Sequence, residues 1–283
     1  MYIVPNSSSF RSRKPHPSGS FYSLCGMGEY IMMTNLVPGL VSISFRQLQP
    51  EEIVRLCRDC GLRVVEWGGD VHVPHGNLQA AENVAALMRQ SGLQCAAYGS
   101  YYRCGVSPRE EFSGVLECAN ILNAPFIRVW AGNKASGEIS AAERAAVVAD
   151  LQRCVYLAAA AGMRVSTEYH SGTLTDTVES CDALLADCPG LSTGWQPPVG
   201  MAPEACCAAL QKVLPRLSTI HAFHWRQRER LPLADGAAVW RQYLKLLDSR
   251  TAATAVLLEF VRDDSPEQLR QDAGTLQELL SAL

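Results

Sequence analysis

From Leu40 to its C-terminus the chain alternates eight times between a short β-branched run and an amphipathic helical pattern. No other feature limits the fold as strongly. The strand candidates are "LVSISF" 40–45, "RVVEW" 63–67, "QCAAYG" 94–99, "FIRVWA" 126–131, "RVSTEY" 164–169, "LSTGWQ" 191–196, "TIHAFHW" 219–225 and "AVLLEFV" 255–261. Helical patterns follow at 50–60, 77–91, 108–122, 140–161, 176–187, 203–214, 235–248 and 265–282. "SPRE", "SPEQ" and "APEA" open helices with Pro in the first turn, and Gly follows the ends in "CRDCGL", "RQSGL" and "AAAAGM". Eight such units predict a single (β/α)₈ TIM barrel over residues 33–283, because parallel strands need helical crossovers. A doubly wound sheet is the competing architecture. Polar residues separate the two: Glu66, Arg128, Glu168, Gln196, His221 and Glu259 fall near the ends of six different strands. That is a converging ring, whereas an open sheet gathers its site at one switch point, and no Gly-rich phosphate fingerprint follows the first strand.

The 283 residues are 48% hydrophobic and 19% charged, enough apolar material for one barrel-sized core. A net charge of −3 gives no basic face for a polyanion, so a nucleic-acid partner is not expected. No apolar run approaches the ~20 residues of a membrane span. The eleven cysteines are scattered without framework spacing and read as reduced packing residues of a cytoplasmic protein. Cys57 and Cys60 form a C-x-x-C within a helical pattern and lack a second ligand pair for zinc. Residues 1–32 have no sustained periodicity and are rich in Ser, Pro and Arg, which reads as a disordered or non-native extension. Gly28 and Glu29 can be encoded as a purine run just upstream of Met32 and Met33, consistent with a translation start there.

The stretch "RVSTEYHSGTLTDT" ends a strand in ionisable residues and then runs into small hydroxyl side chains. Alternation puts Ser166, Glu168 and His170 on one face and Val165, Thr167 and Tyr169 against the helices. In "AVLLEFV" Glu259 is the one polar residue, and must pair with a cation or be neutralised there. Two such carboxylates under one pocket can bind a divalent metal, exchange protons with a substrate, or both; as structural residues they would pair with arginines such as Arg128. His221 and His224 have opposite strand parity, so both face inward only if the strand ends between them; His221 is then the ligand candidate, with His224 at the rim. Candidate substrate contacts are Arg128, His170 and His224, together with Glu66, His72 and His75 in the glycine-bearing "EWGGDVHVPHGN", Tyr98 with Tyr101 and Tyr102 in "YGSYYRCG" for stacking or rim packing, Trp195 in "GWQPP", and Arg226 beyond the seventh strand.

With "TEYH", "TLTDT", "WQPPVG", "IHAFHWR", "RLPLADG" and "LLEFV" in this order, the chain resembles the xylose-isomerase-like barrel superfamily of sugar phosphate isomerases and epimerases, over roughly 36–283. The resemblance implies a divalent metal (Mn, Mg, Co or Zn) held by Glu168, Gln196, His221 and Glu259, and Glu168 and Glu259 as the acid/base pair. Gln196 departs from the usual aspartate, and a neutral amide contributes no charge to a cation. The expected function is therefore isomerisation or epimerisation of a small carbohydrate by glutamate-mediated proton transfer through an enediolate. The alternatives are a metal-independent isomerase resembling hydroxypyruvate isomerase, an inosose-type dehydratase and a non-catalytic sugar-binding barrel. A homo-oligomer is left open, and substrate identity is set by loops that sequence patterns do not determine.

Overall fold

The computed structural model describes residues 35–248 and 250–283, so the expectation about residues 1–32 lies outside the described residues. Eight parallel strands close into a barrel: β1 (Leu36–Val41), β2 (Val64–Gly68), β3 (Gln94–Arg103), β4 (Phe126–Trp130), β5 (Arg164–Glu168), β6 (Ser192–Trp195), β7 (Leu217–Ala222) and β10 (Thr254–Leu258). Pairing of β1 with β10 removes both edges and excludes the doubly wound alternative. Helices α1 (Pro50–Asp59), α2 (Leu78–Ser91), α3 (Glu111–Ile121), α4 (Ala141–Ala160), α5 (Val178–Asp187), α6 (Pro203–Val213), α7 (Ala237–Lys245) and α8 (Pro266–Ser281) make the crossovers. Local chemistry explains their starts. Ser140 and Glu143 form a reciprocal capping box on α4, and Ser265 caps α8 ahead of Pro266. A short antiparallel hairpin, β8 (His224–Arg226) with β9 (Glu229–Leu231), is inserted between β7 and α7.

The first strand lies four residues earlier than the pattern predicts, and Ser42–Phe45 form a 3₁₀ turn instead. Pro38 and Gly39 suggest a turn in sequence, yet the barrel needs glycine at 39: a Cβ there would lie 2.4 Å from the Val64 carbonyl oxygen. Ser42 and Ser44 then leave the strand to act as acceptors, their hydroxyls receiving the N–H of Gly68 and of Phe260.

Apolar residues form two separate cores. The larger lies between barrel and helices and includes Trp67, Tyr98, Phe112, Leu151 and Trp195. The smaller contains Val41, Ile43, Val64, Ala96, Ala255 and Leu257, with Tyr101 and Phe260 packed against it. Cys57 and Cys95 are buried, which pushes their thiols up and makes them poor nucleophiles. Among the described residues no helix is long and apolar enough to cross a membrane.

Candidate active site

Five buried ionisable side chains meet where the strands end. Arg128, from β4, donates through Nε to Glu66 Oε1 at 2.7 Å, and its Nη1 lies 3.0 Å from Glu168 Oε2. Glu66, from β2, takes the Nε2–H of His221 at 3.1 Å. His221 Nδ1 then faces Glu259 Oε2 at 3.4 Å and Glu168 Oε1 at 3.9 Å. None of the five is more than 5% exposed.

Glycine at 99 makes this packing possible. A Cβ on Gly99 of β3 would stand 2.5 Å from Arg128 Nη2 and 3.0 Å from Glu66 Oε1. Gly99→Ala is expected to displace the guanidinium and cost about 1–3 kcal/mol of stability. Gly137→Ala, where a Cβ meets nothing within 4 Å, is the control and is expected to be neutral in the same denaturation series.

The hydroxyl run after β5 holds Glu168 in place. Thr175 Oγ1 donates to the Glu168 carbonyl, and Thr173 Oγ1 donates to that of His170 at 2.8 Å. These bonds satisfy backbone groups at the strand end without a regular element.

The electrostatics separate the carboxylates. Burial alone would raise Glu66, but Arg128 and His221 outweigh it and hold the group at about 2. Burial raises Glu168, the nearby Glu259 and Glu66 add to the rise, and Arg128 and His221 only partly oppose it. Burial opposes charging His221, yet Glu259 and Glu66 raise it well above an ordinary histidine. Glu168 therefore retains its proton to higher pH than an ordinary carboxyl, whereas Glu66 remains an anion.

A divalent metal fits this donor set. Glu66 occupies the Nε2–H of His221, so in the neutral ring Nδ1 carries the lone pair, and that buried atom has no hydrogen-bond partner among the described residues. One ligand atom each from Glu168, His221 and Glu259 lie within 4.8 Å of one another. A histidine oriented by a carboxylate behind it is a recurrent metal-ligand arrangement. Three carboxylates and one guanidinium leave two negative charges when His221 is neutral, which a divalent cation balances.

Gln196 takes a different part from the ligand role that the resemblance implies. Its Nε2 donates to the Tyr169 carbonyl at 2.6 Å and to Glu168 Oε1 at 3.1 Å. Two acceptors on one side set the amide with its nitrogen toward Glu168, so Gln196 braces a ligand and its oxygen points elsewhere. A second donor cluster, Cys104, Asp150 and Cys154, is a structural hub. Asp150 is already occupied by the Tyr102 hydroxyl, the Gly105 N–H and Arg153.

The remaining candidates divide by which way their strand or loop turns them. Tyr98 and Trp195 are corrected to the helix side of the barrel: Tyr98 donates to the Val73 carbonyl at 2.7 Å, and Trp195 packs edge-on against Trp240 and Tyr243. Strand alternation places both behind the site. His72 is engaged by Ser42 and the Leu48 carbonyl and lines a flank cavity of about 360 Å³ beside α2. His75 faces Glu111 of α3 at 3.6 Å. These contacts do not bring either histidine into the charged cluster. β7 ends at Ala222, so His221 points inward while His224 begins the hairpin, packed on Gly236. Arg226 is exposed and paired with Glu229 at 2.7 Å. His170 lies beyond the end of β5, exposed, with its ring 4.4 Å from that of Trp130.

Of the aromatic residues at the mouth, Tyr101 belongs to the tyrosine run read from the sequence, whereas Trp130, Trp225 and Phe260 were not singled out. Trp130, Trp225 and Phe260 follow or border the charged residues, and Tyr101 and Phe260 hold positive φ of 61° and 50°. A run such as "EFV" gives no sign that its phenylalanine turns at the strand end.

A family model described as xylose isomerase-like TIM barrel matches residues 54–279. Among solved structures, the probable 3-DHS dehydratase AsbF of Bacillus anthracis is 20% identical, with 85% of this chain and 98% of that chain covered and a TM-score of 0.71. D-allulose 3-epimerase from Methylomonas sp. is 15% identical, covering 88% and 98%, with a TM-score of 0.67. A xylose isomerase-like TIM barrel protein from Mycobacterium smegmatis, in complex with magnesium, is 14% identical, covering 87% and 97%, with a TM-score of 0.64. At these identities the likeness shows the fold alone. No curated protein matches the chain.

Proposed function

The chain belongs to the xylose isomerase-like TIM barrel family, and from that premise we propose that it moves a proton beside a carbonyl carbon of a small hydroxylated substrate, with Glu168 and Glu259 as the acid/base pair. The observation that carries this reading is the buried His221 Nδ1, which lies between the two carboxylates and has no hydrogen-bond partner among the described residues. Members similar in fold include an epimerase and a dehydratase, reactions that share an initial proton abstraction next to a carbonyl.

Glu168 ends β5 and Glu259 follows β10, two strands separated by β6 and β7, and both reach toward a common point. Glu168 removes the proton, its affinity for it raised above that of an ordinary carboxylate by burial and by the neighbouring Glu259 and Glu66. Arg128 and the Gln196 N–H hold its carboxylate in one orientation. Glu259 delivers a proton on the other side, which inverts the carbon, or delivers it to the neighbouring atom, which isomerises the substrate. Glu168, His221 and Glu259 would hold a divalent metal, which when bound supplies Lewis-acid stabilisation of charge on the carbonyl oxygen.

His221 is held well above an ordinary histidine, so a metal that takes its Nδ1 must displace a proton. Mn²⁺ affinity is therefore expected to rise with pH between 6 and 8, by about tenfold for each proton displaced per unit, as read by titration with electron paramagnetic resonance. A flat profile contradicts the protonation assignment. Gln196→Asp adds a charge beside Glu168 and is expected to tighten Mn²⁺ binding about tenfold or more.

A metal-independent form of the same proton transfer is the second reading. It is favoured by Arg128 and Gln196, which already provide Glu168 with a cation and an N–H. Proton exchange that survives exhaustive chelation selects this form, and exchange that requires added Mn²⁺ selects the first.

A further inference from the structure

We infer that the substrate carries a carboxylate, seated at the mouth by Arg103 and Trp130; this rests on the proton-transfer reading above and names the substrate class of that site. Arginines stack on aromatic rings around the opening, and their charges are mostly matched. Arg46 is paired with Asp70 at 2.7 Å and Arg230 with Asp264 at 2.5 Å, while Arg128 lies between Glu66 and Glu168. Arg103 differs. Its guanidinium lies 5.6 Å from the Trp130 ring centroid and its one hydrogen bond among the described residues is a long 3.4 Å contact to the Gly132 carbonyl. No carboxylate of the described residues partners it.

A second observation at the same place points to a ligand. Trp130 is 7% exposed, and its indole Nε1–H is buried without an acceptor among the described residues. An indole N–H can only donate, and leaving it unpaired costs about as much as a lost hydrogen bond. A ligand acceptor would satisfy it. Arg128 lies 5.1 Å from the same ring centroid and reaches Glu168, so one indole contacts both the uncompensated guanidinium and the arginine of the acid/base cluster.

The chemistry is that of a monoanion with two in-plane oxygens. One uncompensated positive charge calls for one negative charge. A planar guanidinium that retains its Nε and Nη2 hydrogens matches a carboxylate through two parallel bonds. A phosphate dianion would call for a further positive charge or a helix N-terminal cradle. Held at this point, the carboxylate leaves the rest of the molecule to extend past Trp130, with the carbon that loses its proton next to Glu168.

Three compounds sharing a three-carbon hydroxyketone frame test this: hydroxypyruvate, dihydroxyacetone and dihydroxyacetone phosphate, titrated against the full Mn²⁺-supplemented chain by isothermal calorimetry. Hydroxypyruvate is expected to bind at least about tenfold more tightly than dihydroxyacetone. Arg103→Gln is expected to remove that difference, and Trp130→Phe, which keeps the ring and deletes the N–H, to narrow it about threefold, both with near-wild-type melting. Equal binding of hydroxypyruvate and dihydroxyacetone overturns the inference, as does a preference that survives Arg103→Gln or no hydroxypyruvate binding at 10 mM. Tighter binding of dihydroxyacetone phosphate overturns the carboxylate assignment. Proton exchange into all three without discrimination would leave the proposed reaction standing and remove this inference; discrimination without exchange does the reverse.

Discussion

Glu168→Gln is expected to reduce deuterium uptake from D₂O into a reacting hydroxyketone by about 10²–10⁴-fold, the range that a positioned acid/base group contributes, while the chain remains folded. The amide has nearly the shape of the carboxyl. Its oxygen can still accept from Arg128, and burial, which penalises the carboxylate at this position, does not penalise a neutral amide in the same way. The loss is thus confined to the proton carrier. Glu259→Gln is expected to give a loss of similar order, and the double variant little more, because residues that act as one unit are not additive. Mass spectrometry of hydroxypyruvate, dihydroxyacetone and D-fructose incubated in D₂O with Mn²⁺ provides the readout. Wild-type exchange retained in Glu168→Gln would remove Glu168 from the reaction.

Arg128→Met is expected to destabilise the barrel by about 3–5 kcal/mol, because it leaves two buried carboxylates without their shared cation. For a chain of this size that corresponds to a fall in Tm of roughly 10 °C. Adding Glu66→Gln to Arg128→Met should recover part of the loss, since one of the stranded charges is then gone. The pH dependence gives an independent check with a defined sign. Glu66 is held at about 2 in the folded chain against an ordinary 4.5, so it contributes stability that is present above about pH 4.5 and lost as pH falls toward 2. Removing Arg128 takes away a principal cause of that depression, and the contribution of Glu66 across this window should shrink. Urea denaturation of the single and double variants at pH 3.5 and 7 measures both effects, and additive losses would show that Arg128 and Glu66 do not act as a pair.

The fold was legible because eight strand and helix patterns repeat at lengths that only parallel crossovers accommodate, and closure followed from where the charges fell. Glu66, Arg128, Glu168, His221 and Glu259 were each visible as polar residues in apolar strands. Their mutual bonding was not, because it depends on barrel curvature and on the missing side chain at Gly99. Tyr98 and Trp195 were misdirected for a related reason: an aromatic near a strand end reads the same whichever face it occupies, and a local shift in register decides the face, as at Val65/Glu66 between β2 and β3 and at Thr193/Trp195 between β6 and β7. Gln196 was visible as a polar residue at a strand end, but its amide orientation depends on the Tyr169 carbonyl, which no residue pattern encodes. Arg103 was overlooked because an arginine near the end of "SYYRCG" looks like an ordinary rim charge until the absence of a carboxylate partner among the described residues is seen.

The account rests on Glu168, His221 and Glu259 acting as one cation-binding unit, and equilibrium Mn²⁺ binding at pH 8 tests that most directly. Wild type should bind about one Mn²⁺ per chain, Glu259→Gln should weaken it about 100-fold or more, and Cys154→Ser, in the other buried donor cluster, should leave it unchanged. No binding by wild type, or equal binding by wild type and Glu259→Gln, would contradict the assignment.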